Sequence, residues 1–131
     1  MSEEFKIEIV NPEQSFLLKE DVTEVVIPAF EGEMGILKDH IPLITFLRPG
    51  LIIVKNNSDE KFFFTEDGIV EFANNNLLIL SSTTKNLNSL EKNFIDTMIK
   101  NSQDKFNSDE TNDKEKYLLS YKIETLKQIK Q

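Results

Sequence analysis

The densest gathering of side chains able to do chemistry lies in the stretch P28-A-F-E-G-E-M-G-I-L-K-D-H-I-P-L43, which carries Glu31, Glu33, Lys38, Asp39 and the chain's single histidine, His40. Carboxylates beside an imidazole can move protons or ligate a metal. The spacing argues against both. Asp39 and His40 are adjacent, and neighbours on an extended chain point to opposite faces, so they do not form an acid–His relay with each other. Glu31, Glu33 and His40 could together ligate one metal, but the sequence has neither H-E-x-x-H nor any two-His spacing. It also has no G-x-S-x-G elbow and no cysteine to act as nucleophile. Neither a P-loop nor a G-x-G-x-x-G fingerprint is present. The expectation is therefore no catalytic residue, no metal and no cofactor. The stretch reads as a solvated, irregular loop: Gly32 and Gly35 permit positive φ, and Pro42 biases Ile41 towards extended backbone, where a strand restarts.

Whatever such a loop does, the rest of the chain must position it. The 131 residues suffice for one domain, or a small domain with an appendage. With 39% hydrophobic and 29% charged residues the composition is that of an ordinary globular protein. A formal net charge of −8 repels phosphate backbones and sets nucleic acid aside. The unbroken apolar runs are about four residues long, whereas a spanning helix needs ~20. The opening MSEEFKIEIV has no basic leader or apolar core, so no export signal is expected, and with no cysteine the expected compartment is reducing and cytoplasmic.

Charge and periodicity change together near residue 85. Residues 1–84 carry 15 Asp+Glu against 6 Lys+Arg; residues 85–131 carry 8 against 9. The first unit, 1–84, reads as strands. Phe5, Ile7 and Ile9 alternate with Lys6 and Glu8. Further runs, rich in β-branched and aromatic residues, follow at 22–27, 43–47, 51–54, 61–65, 69–72 and 77–80. Pro49-Gly50 suits a type II turn, and Asn56–Asp59, Asp67-Gly68 and Asn74–Asn76 suit hairpin tips. Strands at this spacing without intervening helices predict an antiparallel sandwich or barrel. The second unit, 85–131, reads as two helices. One stripe is Leu87, Leu90, Phe94, Ile95, Met98 and Ile99; the other is Tyr117, Leu118, Tyr121, Leu126 and Ile129, with a polar connection from Asn107 to Lys114. Asn88 with Glu91, and Asn112 with Glu115, have capping-box spacing. Each stripe is short, so the two helices are expected to pair as a hairpin. The fold class is thus α+β, mainly β: an N-terminal antiparallel sandwich of about ten strands, then a C-terminal two-helix antiparallel hairpin.

The segment V25-V-I-P-A-F-E-G-E-M-G-I-L-K-D-H-I-P-L-I-T-F-L-R-P-G50 resembles the signature of the epsilon subunit of bacterial F-type ATP synthases, E-G-E-[LM]-G-[IV]-L-x-x-H-x-P-L-[LI]-T-x-[LI]-[KR]-P-G after an apolar strand. Ile9 to Gln14 resembles the family's opening strand and turn, and D67-G-I-V-E-F72 and L77-L-I-L80 its later strands. The resemblance implies a mechanical subunit rather than an enzyme. It would sit in the rotating central stalk, binding the gamma subunit and the ring of c subunits, peripheral to the cytoplasmic face of the bacterial inner membrane. The machine would make ATP from ADP and phosphate using a transmembrane proton gradient.

Carried over by position, the resemblance implies a c-ring face of Asn11, Glu31, Gly32, Glu33 and His40. It implies a gamma face of Pro42, Leu43, Ile44 and Thr45 with Arg48. Arg48 is the only arginine in the chain. It either forks a carboxylate on gamma or stands as an exposed cation beside Pro49-Gly50. In many relatives the first C-terminal helix has an acidic residue followed two positions later by Arg-Ala, a motif that helps bind regulatory ATP. Here the matching stretch is Leu90 to Ile95, and residues 85–131 contain no arginine, so the guanidinium fork is missing. Inhibition through contacts of the hairpin with catalytic beta and alpha subunits stays open, since residues 114–131 carry five lysines against two glutamates. The alternative reading is a free-standing β-sandwich adaptor.

Overall fold

A computed structural model of the chain describes residues 3–13 and 15–130. Gln14, named above in the opening turn, lies outside them. Ten strands are formed among the described residues: β1 (Phe5–Val10), β2 (Ser15–Val22), β3 (Glu24–Ala29), β4 (Gly32–Leu37), β5 (Leu43–Leu47), β6 (Gly50–Lys55), β7 (Glu60–Thr65), β8 (Gly68–Ala73), β9 (Asn76–Leu80) and β10 (Lys85–Asn86). A single 3₁₀ turn, Leu87–Ser89, leads into α1 (Lys92–Phe106) and α2 (Asp113–Lys130).

The strands follow one hydrogen-bonded path, β10-β7-β6-β3-β5-β8-β9-β1-β2, with β4 paired to β3. The path folds back on itself at β3. That strand pairs with β6 from Glu24 to Val26, then turns to meet β5 at Ala29↔Leu47. Pro28 stands at the changeover, where its missing N–H is least needed, and its carbonyl accepts the Arg48 N–H at 2.9 Å. One layer is therefore β10-β7-β6 with β4 beyond β3; the other is β5-β8-β9-β1-β2. Ile7, Ile9, Val70, Phe72 and Ile79 of one layer close on Ile27, Ile36, Ile52, Val54 and Phe63 of the other, all essentially buried. This is the sandwich core that period-2 alternation predicts.

The structure departs from the sequence reading at several points, the first being β2, which is not among the expected runs. β1 and β9 run parallel, from Lys6↔Asn76 to Val10↔Leu80, so the sheet is mixed rather than wholly antiparallel. The 28–43 stretch is not one irregular loop: Gly32–Leu37 forms β4, a hairpin partner of β3 closed by the two residues Phe30 and Glu31. Pro49-Gly50 is not a type II turn, which would need positive φ at Gly50; Gly50 is instead the first residue of β6 and has no positive φ. Asn88 does not cap α1. Asn86 caps the 3₁₀ turn by accepting from the Asn88 N–H at 2.9 Å, and Glu91 at the start of α1 makes no side-chain cap bond. The other capping box is formed: Glu115 N–H donates to Asn112 Oδ1 at 2.8 Å, and Asn112 N–H to Glu115 Oε1 at 3.4 Å.

The helical hairpin lies against the outside of the sandwich. Phe64 on β7 is fully buried there, with Ile95, Ile99 and Leu126, and Leu51, Leu87, Leu90, Met98 and Ile129 pack around them. Phe63 faces the sandwich core and Phe64 faces the helices, so β7 is apolar on both sides because both sides are covered. Phe94, expected in the stripe, is 47% exposed.

The two clusters share no buried residue, so the strands hold their own core. Deleting residues 87–131 is expected to leave a cooperatively folded sandwich by circular dichroism and urea unfolding. Phe64 and Leu51 become exposed, and fully burying such a side chain is worth roughly 1.5–3 kcal/mol; the truncated chain should accordingly self-associate more in sedimentation.

Candidate functional site

The strand register sorts the expected contact residues to two ends of the sandwich. At one end lie the last residues of β1, β3, β5 and β9 and the first of β4 and β8, tied by Val10↔Leu80, Ala29↔Leu47, Leu47↔Gly68 and Ala29↔Gly32. Asn11, Glu31 and Gly32 are here. Asn11 shapes the chain after β1 by accepting the Glu13 N–H at 2.9 Å, an Asx turn. Phe30 and Glu31 form the β3–β4 tip, anchored where the Phe30 N–H donates to Phe46 O at 2.8 Å. Glu31 is exposed at that tip. Gly32 has φ 147°, a backbone that side-chain-bearing residues rarely adopt.

His40 is at the opposite end. Its segment joins β4 to β5 beside the β8–β9 turn, where Asn74 and Asn75 take φ of 53° and 59°, the geometry of a type I′ hairpin. Asp39 and Asn75 bind reciprocally: Asp39 N–H donates to Asn75 Oδ1 at 2.7 Å, and Asn75 Nδ2 to Asp39 Oδ1 at 3.0 Å. His40 donates from Nδ1 to Ile41 O at 2.8 Å and stands edge-on to Phe72, 5.9 Å between centroids. The Glu31–Glu33–His40 grouping considered from the sequence is thus not assembled. Among the described residues no three His, Asp or Glu side chains are placed to hold a metal ion.

Glu33 is not at the tip either. It is an exposed residue of β4, opposite Pro28, and lines a hollow of about 310 Å³ with Arg48, Gly50 and, from α2, Tyr121 and Glu124. Gly35, expected to allow positive φ, is an ordinary strand residue facing Val26.

The expected gamma residues divide by alternation along β5. Thr45 is buried, Leu43 is half-buried against the core, Pro42 is exposed and Ile44 is 73% exposed. The sequence reading missed Phe46, which is 60% exposed and in register with Ile69, itself in register with Leu80. Leu80 is paired in turn with Val10. An apolar row thus crosses four strands on the outer face and opens into a groove of about 1010 Å³ that reaches Asn11, Phe30 and Leu118 of α2. Exposed contiguous apolar surface of this kind marks an interaction site. The signal lay in β5 itself: L43-I-T-F-L47 is apolar at its outward positions too, which only a covered face explains. The same feature in β7 is explained by the hairpin; in β5 none of the described residues covers it.

Arg48 is taken by the hairpin. Its guanidinium lies over the Tyr121 ring, 3.9 Å from the centroid. Tyr117 packs edge-on to Tyr121 at 5.0 Å and reaches Phe30 at 6.1 Å. The neighbouring Tyr121 hydroxyl lowers the Tyr117 phenol below its ordinary value, with a further lowering from Arg48, and the Tyr117 hydroxyl in turn raises that of Tyr121. On the adjoining face of α2, Lys122 Nζ lies 2.7 Å from Glu66 Oε1. Within the hairpin, Lys130 Nζ is 2.7 Å from Asp96 Oδ1.

A sandwich with turns at both ends, a bare apolar row on one face and a helical hairpin on the other is a docking subunit, built to be held by other chains. Its residues 4–86 match the family model described as ATP synthase, Delta/Epsilon chain, beta-sandwich domain. The chain is 54% identical over 129 residues to the ATP synthase epsilon chain of Pelagibacter ubique (strain HTCC1062), covering 98% of this chain and 99% of that one. It is 53% identical over 55 residues to the epsilon chain of Sinorhizobium medicae (strain WSM419), 42% of this chain and 40% of that one. A chain in the Euglena gracilis mitochondrial ATP synthase OSCP/F1/c-ring structure superposes with TM-score 0.81 at 17% identity, covering 98% of this chain and 82% of that one. One in the Tetrahymena thermophila mitochondrial ATP synthase central stalk/c-ring structure gives 0.65 at 12%, covering 99% and 98%. The chain belongs to the ATP synthase delta/epsilon family, as an epsilon chain.

The base under Arg48 generates a stability test. A Cβ on Gly50 would lie 2.5 Å from Pro28 Cβ, whereas one on Gly32 meets nothing within 4 Å. Gly50→Ala should cost roughly 1–3 kcal/mol through overpacking and Gly32→Ala roughly 1–3 kcal/mol through backbone strain alone, both read from urea midpoints. Relief by a simultaneous Pro28→Gly change, which removes the Cβ that is struck, is expected for Gly50→Ala only.

Proposed function

We propose that this chain is the non-catalytic epsilon subunit of a proton-driven ATP synthase rotor, joining gamma to the c-ring at the cytoplasmic face of the bacterial inner membrane. Among the described residues no helix is long and apolar enough to cross a membrane, and attachment runs through the complex. The observation that carries the reading is the exposed apolar row of Phe46, Ile69 and Leu80, continued by half-buried Val10 and with Ile44 beside it, which the described residues leave open. We assign gamma to this face. Leu43 and Thr45 support it from inside the core rather than by contact. The c-ring falls to the end bearing Asn11, Glu31 and Gly32, where an exposed acid on a two-residue hairpin tip and a glycine without neighbours allow close approach. His40, at the far end, belongs to neither group by position.

A rotor part must pass torque without yielding, and a close-packed sandwich core transmits strain. The subunit itself makes and breaks no bond. ATP is made elsewhere in the complex, and this chain supplies the coupling between parts.

Phe46→Asp is expected to fold as wild type by circular dichroism, since the side chain is already exposed, and to lose most copurification with gamma. Full recovery of gamma with this variant would move the gamma face elsewhere and favour a free-standing adaptor. Leu43→Asp should instead lower the melting temperature, because it puts a charge against the core.

Glu31→Lys is expected to leave stability within about 0.5 kcal/mol and to reduce ATP-driven proton pumping at unchanged ATPase rate in membrane vesicles. Glu33→Lys, off the tip, should leave pumping intact. Equal effects from both would remove the tip from the coupling surface.

A further inference from the structure

We infer that Arg48 is the latch that holds the helical hairpin on the sandwich, with Tyr121 of α2 as its catch. Three observations converge on it. The guanidinium stacks on the Tyr121 ring at 3.9 Å, and Tyr117, one turn earlier, closes over the pair against Phe30 of the β3–β4 tip. Arg48 is mounted rigidly: its N–H is bonded to Pro28 O at 2.9 Å, and the next two residues, Pro49 and Gly50, are buried, with Gly50 hard against Pro28. Finally, the residue after Tyr121 is held on another side of the helix, through the 2.7 Å Lys122–Glu66 pair.

Successive helical residues are about 100° apart around the axis, so α2 is gripped on two flanks at one level, with the Leu126–Phe64 contact one turn further on. The apolar contact supplies non-directional burial and would tolerate sliding. The two polar grips fix rotation and register. Arginine suits the role because its planar, weakly hydrated cation stacks on a ring as lysine does not. An undocked α2 loses the tertiary packing from which most helical stability comes, so breaking the latch should appear as local opening of residues 113–130 while the sheet stays closed.

The latch is a property of the isolated chain, and the test stands whatever gamma binds. Amide hydrogen exchange is followed on the full chain by mass spectrometry, with β1 and β9 as internal reference. Arg48→Ala and Tyr121→Ala should each speed exchange of α2 about 3- to 30-fold and leave β1 and β9 unchanged. The double variant should do little more than either alone. Tyr121→Phe, which keeps the ring, should retain most of the protection, and Arg48→Lys should lose most of it. Exchange of α2 within twofold of wild type in both alanine variants overturns the assignment, as do effects that simply multiply. Loss of protection in β1 and β9 together with α2 would make Arg48 a brace of the sandwich and overturns it equally.

Discussion

Everything outside the main core depends on one need, covering the outer face of β6 and β7. Phe64 points away from the sandwich interior and cannot be left in water at small cost, so the chain sends α2 back across it, with Leu126 seated on Phe64 and α1 carried on α2. That return path brings Tyr117 and Tyr121 over Arg48 and Lys122 beside Glu66. It also leaves Arg48 with a defined neighbour: a carboxylate that approached from another chain would have to draw the guanidinium off an aromatic face.

The opposite layer meets the same physics with no helix to use. Its outer row of Val10, Leu80, Ile69 and Phe46 is as consistent in register as the covered face of β7. One domain thus carries two apolar exteriors, one closed by its own helices and the other left exposed among the described residues. The acidic turns sit at the ends of the strands, away from both faces, where backbone groups are solvated and a charge costs little to keep.

What was legible in the sequence is what short-range pattern records. Alternation placed β1 and the strands from β5 to β9, and consecutive asparagines marked the β8–β9 turn, because a primed hairpin needs two residues that accept left-handed backbone. β4 was not legible. G32-E-M-G-I-L37 has two glycines and poor strand propensity, and it is a strand because β3 beside it supplies a full ladder. The Asn86 cap outcompeted Asn88 by one short turn, a choice no spacing rule separates. Among the site residues, Glu31 and Gly32 read only as part of one long loop rather than as a hairpin tip, and the distance between Glu31 and His40 depends on which end of the sandwich each strand finishes. Arg48 could be noticed as a lone arginine, but its partner is more than 70 residues away in the chain.

The parallel pairing of β1 with β9 has a consequence for how the molecule comes into being. β1 is made first, yet the neighbour that completes its ladder begins at Asn76, 66 residues after Val10. Val22 ends β2 54 residues before Asn76, so at synthesis rates of about 5–20 residues per second β1 and β2 wait roughly 3–11 seconds as an open ribbon before that partner exists. During the wait the inner face of Ile7 and Ile9 has no opposite layer, and the free edge of β1 is a template for a stray strand. β1 itself carries Lys6 and Glu8 between its core residues, and such charge on a free strand opposes stray pairing until the chain can close. The last strand to join the far layer is thus the one that seals the first, and this parallel closure is the longest-range pairing in the sheet, the kind whose loop-closure cost slows folding.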